Sequence, residues 1–353
     1  MIRIATAATV LSVVFASAIL VGCPLMAQAL SGHVPDNLLA YSAMRACSRL
    51  AVCTQKIVVV VPDSHNPPYE EVAVSGIAGG INWSLDHRQL AYSDGTDIYL
   101  HDLLTRVTFN LSRSLALHSF DNAPAWSPDG AQIAYLSYEE NNIALHITRL
   151  SPFSVRTIPV LQHVARSSDW LAWSRSDFLL LERPQLVLGY PRADDVYRFE
   201  IAAESFKAVT SAEDEDYNPV ISPQGDKIAF LSGSGGITEL YVMNADGSAV
   251  QALTDTHFVK GRPFWLDNQS ILYGERVNSR FTLEILHLSS LDRVAVSSIL
   301  PVYAYTVSPD GAQIAYLGSQ DGTTFQLCIL AEQRRQQQCF ASSAYSDSIL
   351  AWS

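Results

Sequence analysis

A short phrase returns along this chain at a near-constant interval, and few folds tolerate such a recurrence. The clear copies read PAWSPDGAQIAYLS (Pro124–Ser137), PVISPQGDKIAFLS (Pro219–Ser232), PFWLDNQSILYG (Pro263–Gly274) and YTVSPDGAQIAYLG (Tyr305–Gly318). Weaker copies are INWSLDHRQLAYS (Ile81–Ser93) and LAWSRSDFLLLER (Leu171–Arg183), and the last seven residues, Asp347–Ser353, begin another and stop. Aligned on the residue before the turn, the anchors are Trp83, Trp126, Trp173, Ile221, Trp265, Val307 and Trp352, spaced 43, 47, 48, 44, 42 and 45 residues apart. A period of about 40–45 residues, with four strands in each unit, is the mark of a β-propeller.

Each unit has a physical reading. An apolar pair such as Ala125-Trp126 ends a first strand. In Ser-Pro-Asp-Gly, proline presets φ and glycine accepts φ > 0. Ile-Ala-Tyr or Ile-Ala-Phe is then a buried second strand. Third strands alternate in polarity, as in Asp97–Leu100, Glu239–Met243 and Thr282–Leu286. A turn such as Asp246-Gly247 leads to a fourth. No helical period is evident between residues 41 and 353.

The phrase Leu240-Tyr-Val-Met-Asn-Ala-Asp-Gly-Ser248, followed by Leu253-Thr254, together with the two Ser-Pro-Asp-Gly-Ala-Gln-Ile-Ala-Tyr-Leu stretches, resembles the repeat of TolB-like, WD-repeat-like propellers. The resemblance covers about residues 79–353. It implies a fold more than a function, because many unrelated proteins use this repeat. The separate α/β domain that a complete TolB carries has no counterpart in the pattern before Ile81.

Seven blades are expected. Six full units start from Trp83 to Val307, and the C-terminal piece supplies only an innermost strand. The expected complement lies at the other end, with Ser48–Cys53 as second strand, Lys56–Val61 as third and Tyr69–Val74 as fourth. Pairing of N- and C-terminal strands would close the ring and remove sheet edges. The alternative is six blades. The expected layout is a signal peptide over 1–22, a linker over 23–40 and the propeller over 41–353.

Met1-Ile-Arg3 followed by an uncharged stretch to Gly22 reads as an export signal. Leu20-Val-Gly-Cys23 fits a lipobox, with Cys23 lipidated; Ala27-Gln28-Ala29 offers a competing ordinary cleavage site. Either reading puts the propeller outside the cytoplasm, facing periplasm or exterior, tethered by lipid or secreted in soluble form. Export favours disulfides, and Cys328 and Cys339 sit on neighbouring strands of one blade. Cys47 and Cys53 are close enough to bridge as well, and three connectivities remain open.

Thirty-five acidic against 23 basic residues give a net charge of −12, and no basic stripe points to nucleic acid. The sequence holds no nucleophile elbow, zincin helix, phosphate loop or EF-hand. Its histidines are scattered: His87 in a first-to-second turn, His101, His146 and His287 on third strands. Structural roles suit them better than metal ligation, so neither a metal nor a cofactor is expected. Five residues before the anchors stand Asp121, Asp216, Lys260 and Asp347, expected at the channel mouth. The segment Glu182–Asp195, with Arg183, Tyr190, Arg192, Asp194 and Asp195, reads as an enlarged loop on the same face. The expectation is a monomeric, non-catalytic module that binds an envelope or extracellular protein, or a glycan, through these loops. The alternative is a carbohydrate lyase or hydrolase using paired carboxylates among Asp121, Asp216 and Asp347.

Overall fold

The computed structural model describes residues 34–353 apart from 36, 48–52, 63–68, 77, 113–118, 140–141, 163–170, 188–189, 211–213, 235–236, 259, 278–279, 297, 332–336, 343 and 345–347. The described residues form strands and turns and no helix. Strands β1 (Leu39–Cys47), β2 (Cys53–Val60) and β3 (Glu70–Val74) make one antiparallel meander. The next contains β4 (Gly79–Trp83), β5 (Gln89–Ser93), β6 (Ile98–Asp102) and β7 (Val107–Asn110). A third contains β8 (Ser119–Trp126), β9 (Gln132–Glu139), β10 (Asn142–Arg149) and β11 (Ser154–Gln162). β12 (Leu171–Trp173), β13 (Phe178–Val187), β14 (Tyr190–Glu200) and β15 (Ser205–Ala208) follow, then β16 (Glu215–Ile221), β17 (Lys227–Ser234), β18 (Ile237–Asn244) and β19 (Gln251–Ala252).

The last sheet joins two meanders. One comprises β20 (Phe264–Trp265), β21 (Ser270–Val277), β22 (Arg280–His287) and β23 (Arg293–Ala295). The other comprises β24 (Val302–Val307), β25 (Ile314–Gly318), β26 (Gln326–Leu330) and β27 (Gln337–Ala341). A single bridge, Phe281 opposite Val302, links them. The final strand, β28 (Leu350–Trp352), pairs antiparallel with β1, setting Leu39 opposite Trp352.

This pairing corrects one expectation. The second strand of the terminal sheet is Leu39–Cys47, not Ser48–Cys53, and residues 48–52 lie outside the described structure. The strand therefore begins inside the stretch expected to be a linker. Hydrogen bonds reinforce the junction: Ser353 N donates to Leu38 O at 2.7 Å, Leu38 N to Ser353 Oγ at 2.5 Å, and Ser42 N to Ile349 O at 3.1 Å.

The recurring turn explains the recurring phrase. Gly130 N donates to Ser127 O, Ser127 Oγ donates to Asp129 Oδ1, and that oxygen accepts Ala131 N, all within 2.9 Å. Ser308-Pro-Asp-Gly311 repeats the pattern, and in the weaker copy His87 takes the left-handed position that glycine holds elsewhere, at φ 58°. Second strands are buried on both faces because each sheet is packed between two others. Leu136 and Leu145 share a core with Leu179 and Leu181 of the next sheet. β1 turns Ala40 toward Leu90 on one side, and Leu39 toward Ala315 and Leu317 on the other. Cys328 and Cys339 are register partners and are bridged. Cys47 stands opposite Cys53 in the β1–β2 register.

Candidate functional site: a central channel and its mouth

Residues of β4, β8, β12, β20, β24 and β28 line a cavity of about 600 Å³. The first strands are kinked in a repeated way. The pairing register slips between Gly79 and Asn82, between Asn122 and Ala125, and between Tyr217 and Val220. At the centre of each slip sits a left-handed residue three positions before the anchor: Gly80 (φ 54°), Ala123 (φ 54°) and Asn218 (φ 52°). Such bulges bend a strand and re-aim its side chains.

Arg262 stands at the same offset from Trp265 and is among the residues lining the cavity. Its guanidinium lies 4.9 Å from the Phe264 ring centroid, and Tyr305 Oη donates to its carbonyl at 2.8 Å. Burial pulls its pKa down to about 9, while Tyr305 and Glu182 push the other way, so the group stays cationic at neutral pH. Asn82, Asn122, Thr306 and Ser353 add neutral polar groups to the wall, and Trp83 and Trp352 add indoles. None of the described residues lining the cavity is acidic.

The residues expected at the mouth are placed as follows. Asp121 and Asp216 begin first strands opposite Ser137 and Ser232, and both are buried. Asp121 ties two sheets together through its backbone: its N–H donates to Thr96 O at 2.9 Å, and its carbonyl accepts Ser93 Oγ at 2.7 Å. For Asp216, burial raises the pKa and the Asp214 charge adds to it; hydrogen bonds from Ser232 and Thr210 act in the opposite direction. Lys260 has no solvent exposure in its side chain. Its ammonium donates to Thr256 Oγ1 (2.5 Å), Phe258 O (3.0 Å) and Thr238 O (3.2 Å), and pairs with Glu239 (3.2 Å) and Glu275 (3.5 Å). It is a strut between sheets rather than a displayed cation. Asp347 lies outside the described residues.

Glu182–Asp195 is not a loop but the far end of the β13–β14 hairpin, with Arg183 opposite Asp195 and Pro184 opposite Asp194. The segment that reads as an enlarged loop is a two-stranded ribbon running past the rest of its sheet. The Arg183 guanidinium lies 4.9 Å from the Tyr197 ring centroid. Asp195 is buried, and burial plus the Glu215 charge raises the Asp194 pKa. Tyr190 and Arg192 are in β14, and their side chains lie outside the described structure. Glu182 is buried and accepts the Asn218 N–H of the next sheet at 2.6 Å.

The third-strand histidines sit in local contacts: His101 Nε2 meets Glu70 at 3.0 Å and its Nδ1 meets Thr108 at 2.8 Å, His146 meets Thr157, and His287 meets Ser270. Glu239, Asp255 and His257 bring ligand-capable atoms within 4.8 Å of one another. Both Glu239 oxygens are already engaged, however, one by the backbone of Thr256 and His257 and the other by Thr254 and Lys260.

These features define a propeller whose inner strands frame a channel. The TolB beta propeller domain family (PD40) matches residues 122–353, and the chain belongs to that family. The "Protein TolB homolog" of Chlorobium luteolum is 26% identical over 135 residues, which span 38% of this chain and 29% of that protein. The chain thus matches well under a third of that curated relative's length. Among solved structures, the β-propeller domain of the Trilobed protease from Pyrococcus furiosus superposes with a TM-score of 0.66 at 14% identity, over 87% of this chain and 92% of that one. An oligogalacturonate lyase in complex with manganese gives 0.60 at 16%, over 73% and 75%. Both likenesses concern the fold alone.

Proposed function

We propose that this chain is an exported, non-catalytic propeller that binds a protein or glycan partner outside the cytoplasm through its loop face and channel mouth. In this reading the sheets form a closed seven-bladed ring, with β28, β1, β2 and β3 as the shared blade. Residues 1–22 direct export, and Cys23 carries a lipid anchor facing periplasm or exterior. The relatives named TolB, and the "Tol-Pal system protein TolB" of Anaeromyxobacter dehalogenans among them, support an envelope setting.

One observation carries the reading. Asp121 and Lys260 are buried, yet the residues beside them are apolar and open to solvent: Phe120 is 56% exposed, Phe258 48%, and Ile237, next to the Thr238 that holds Lys260, 44%. Large apolar side chains displayed on a loop face are what a protein partner covers. The test is affinity capture from the native envelope with the full chain and with Phe120→Ser/Phe258→Ser, reading captured proteins by mass spectrometry and folding by melting. A partner lost in the double variant at unchanged melting temperature supports the reading; an identical captured set refutes it.

The alternative reading is a carbohydrate lyase or hydrolase using carboxylates at the channel mouth, with the buried Asp216 as its candidate acid. Turnover of an oligosaccharide that disappears in Asp216→Asn would establish it instead.

A further inference from the structure

We propose that the face made by the first-to-second and third-to-fourth strand turns rests on a zwitterionic lipid bilayer, so that the loop face with Phe120 and Phe258 points away from the membrane. This rests on the reading of Cys23 as the lipid-bearing residue and adds to it which side of the propeller the bilayer meets.

The point where the chain enters the fold is the first observation. Each sheet is an antiparallel meander, so the turns after its first and third strands lie at the end opposite its loops. β28 runs toward that end and β1 runs away from it. Leu38 therefore enters at the turn face, bonded to Ser353, and Asn37 accepts the Trp352 Nε1 proton at 2.5 Å. Val34 shares a core cluster with Leu103, the first residue of the β6–β7 turn. From Val34 onward the chain is pinned to the turn face.

Reach then decides between the two faces. Cys23 and Val34 are 11 residues apart. A chain of that length spans at most about 40 Å fully extended, and about 18 Å as a random coil. Bringing the loop face to the bilayer would route the tether outward past β2 and β3, about 10 Å, and then along a blade the length of β1, about 30 Å. That path consumes the whole extended length. Resting on the turn face consumes almost none.

The turn face also carries groups that suit a headgroup layer. Leu85 (64% exposed), Phe153 (42%), Val250 (54%) and Leu291 (43%) stand in turns of four different sheets. One exposed apolar side chain is ordinary. Four at the same end, on separate sheets, fit a broad plane better than one compact partner, and each gains by sinking among headgroups. The charges beside them have both signs, with Asp86, Asp246 and Asp292 exposed alongside Arg88, Arg106 and Arg293. Such a mixture matches zwitterionic headgroups and gives no net pull toward an anionic surface.

The test places a maleimide dye on Leu85→Cys, Val250→Cys or Phe120→Cys of the full lipidated chain, with the labelled parent as blank. Each is bound to phosphatidylcholine vesicles whose acyl chains are brominated, and bromine quenches only dyes near the bilayer. Fluorescence should be lost at Leu85→Cys and Val250→Cys and kept at Phe120→Cys. Melting of each variant reports folding, and the two turn-face positions check one another. Quenching at Phe120→Cys equal to or greater than at the turn positions, or quenching at none of them with lipid present on Cys23, would overturn the orientation alone. Intact mass showing no lipid on Cys23 would overturn the anchor reading and the orientation with it. An unchanged captured set in the loop-face double variant would sink the partner reading and leave the orientation standing.

Discussion

Lys260 shows how a residue type can mislead. From the sequence it reads as a displayed cation at a binding mouth, and in the structure its ammonium is enclosed by two carboxylates and three oxygens of other groups. Lys260→Ala should leave Glu239 and Glu275 facing one another without a counter-charge, costing about 3–5 kcal/mol; chemical denaturation reads this directly. Unchanged stability would return the lysine to the list of displayed groups. Asp216 carries a prediction about pH. Its folded pKa lies above the unfolded carboxylate value of about 3.9. The fold therefore binds the proton more tightly, and its contribution is full below about pH 4 and is lost as pH rises through the folded value. Asp129 and Asp310 in the turns have lowered values, held down first by Ser127 and Ser308; their contribution is present above about pH 4 and lost as pH falls. Asp216→Asn should thus gain stability relative to the parent as pH goes from 4 to 7, measured as a widening gap in melting temperature. A gap that is constant with pH would remove the burial argument. The turn serines and aspartates were legible because each supplies a fixed local hydrogen bond. Arg262 was not, because nothing in its local sequence marks it as a residue of the cavity wall.

The bulge in the first strands is the element most hidden from the sequence. Glycine, alanine and asparagine at one offset share no side-chain chemistry; they share a left-handed backbone, which a pattern of apolar residues does not register. Gly80 is the tightest case. A Cβ there would stand 2.8 Å from Pro124 Cδ and 3.2 Å from Ala123 N of the adjoining strand, in a conformation that disfavours L side chains. Gly80→Ala should therefore destabilise by about 1–3 kcal/mol, whereas Ala123→Gly should be nearly neutral or mildly stabilising; paired melts of the two variants check both signs. The terminal sheet teaches the same lesson in reverse. Leu39-Ala-Tyr-Ser42 repeats Leu90-Ala-Tyr-Ser93 letter for letter, and both are second strands. The run Ser48–Cys53 competed with it in the sequence because apolar content alone does not say which of two neighbouring segments forms a strand. The β13–β14 ribbon was misread for a related reason: charged residues along a hairpin that outruns its sheet are indistinguishable by composition from a loop.

Across the whole molecule, the repeat made the β-propeller class legible at once, because a unit that cannot bury its own faces must stack on copies of itself. Which strands meet at the ends was half legible, since only the C-terminal fragment carries the phrase. Deleting Asp347–Ser353 tests the junction. It removes the strand opposite β1, the bond from Trp352 Nε1 to Asn37 and the Ser353 bonds to Leu38. The truncated chain should aggregate or melt far below the parent. A cooperative melt at the parent temperature would show that β28 is dispensable and favour six blades. The same junction has a kinetic side. Leu38 and Ser353 are 315 residues apart in the chain, while the other meanders pair neighbours in sequence. Closing so long a loop is entropically late, so the meanders can assemble early while β1 waits with an unpaired edge, open to the same edge on another molecule. Refolding yield should then depend on dilution more steeply than the stability of the finished protein suggests, and the competition is decided by how soon one short strand arrives.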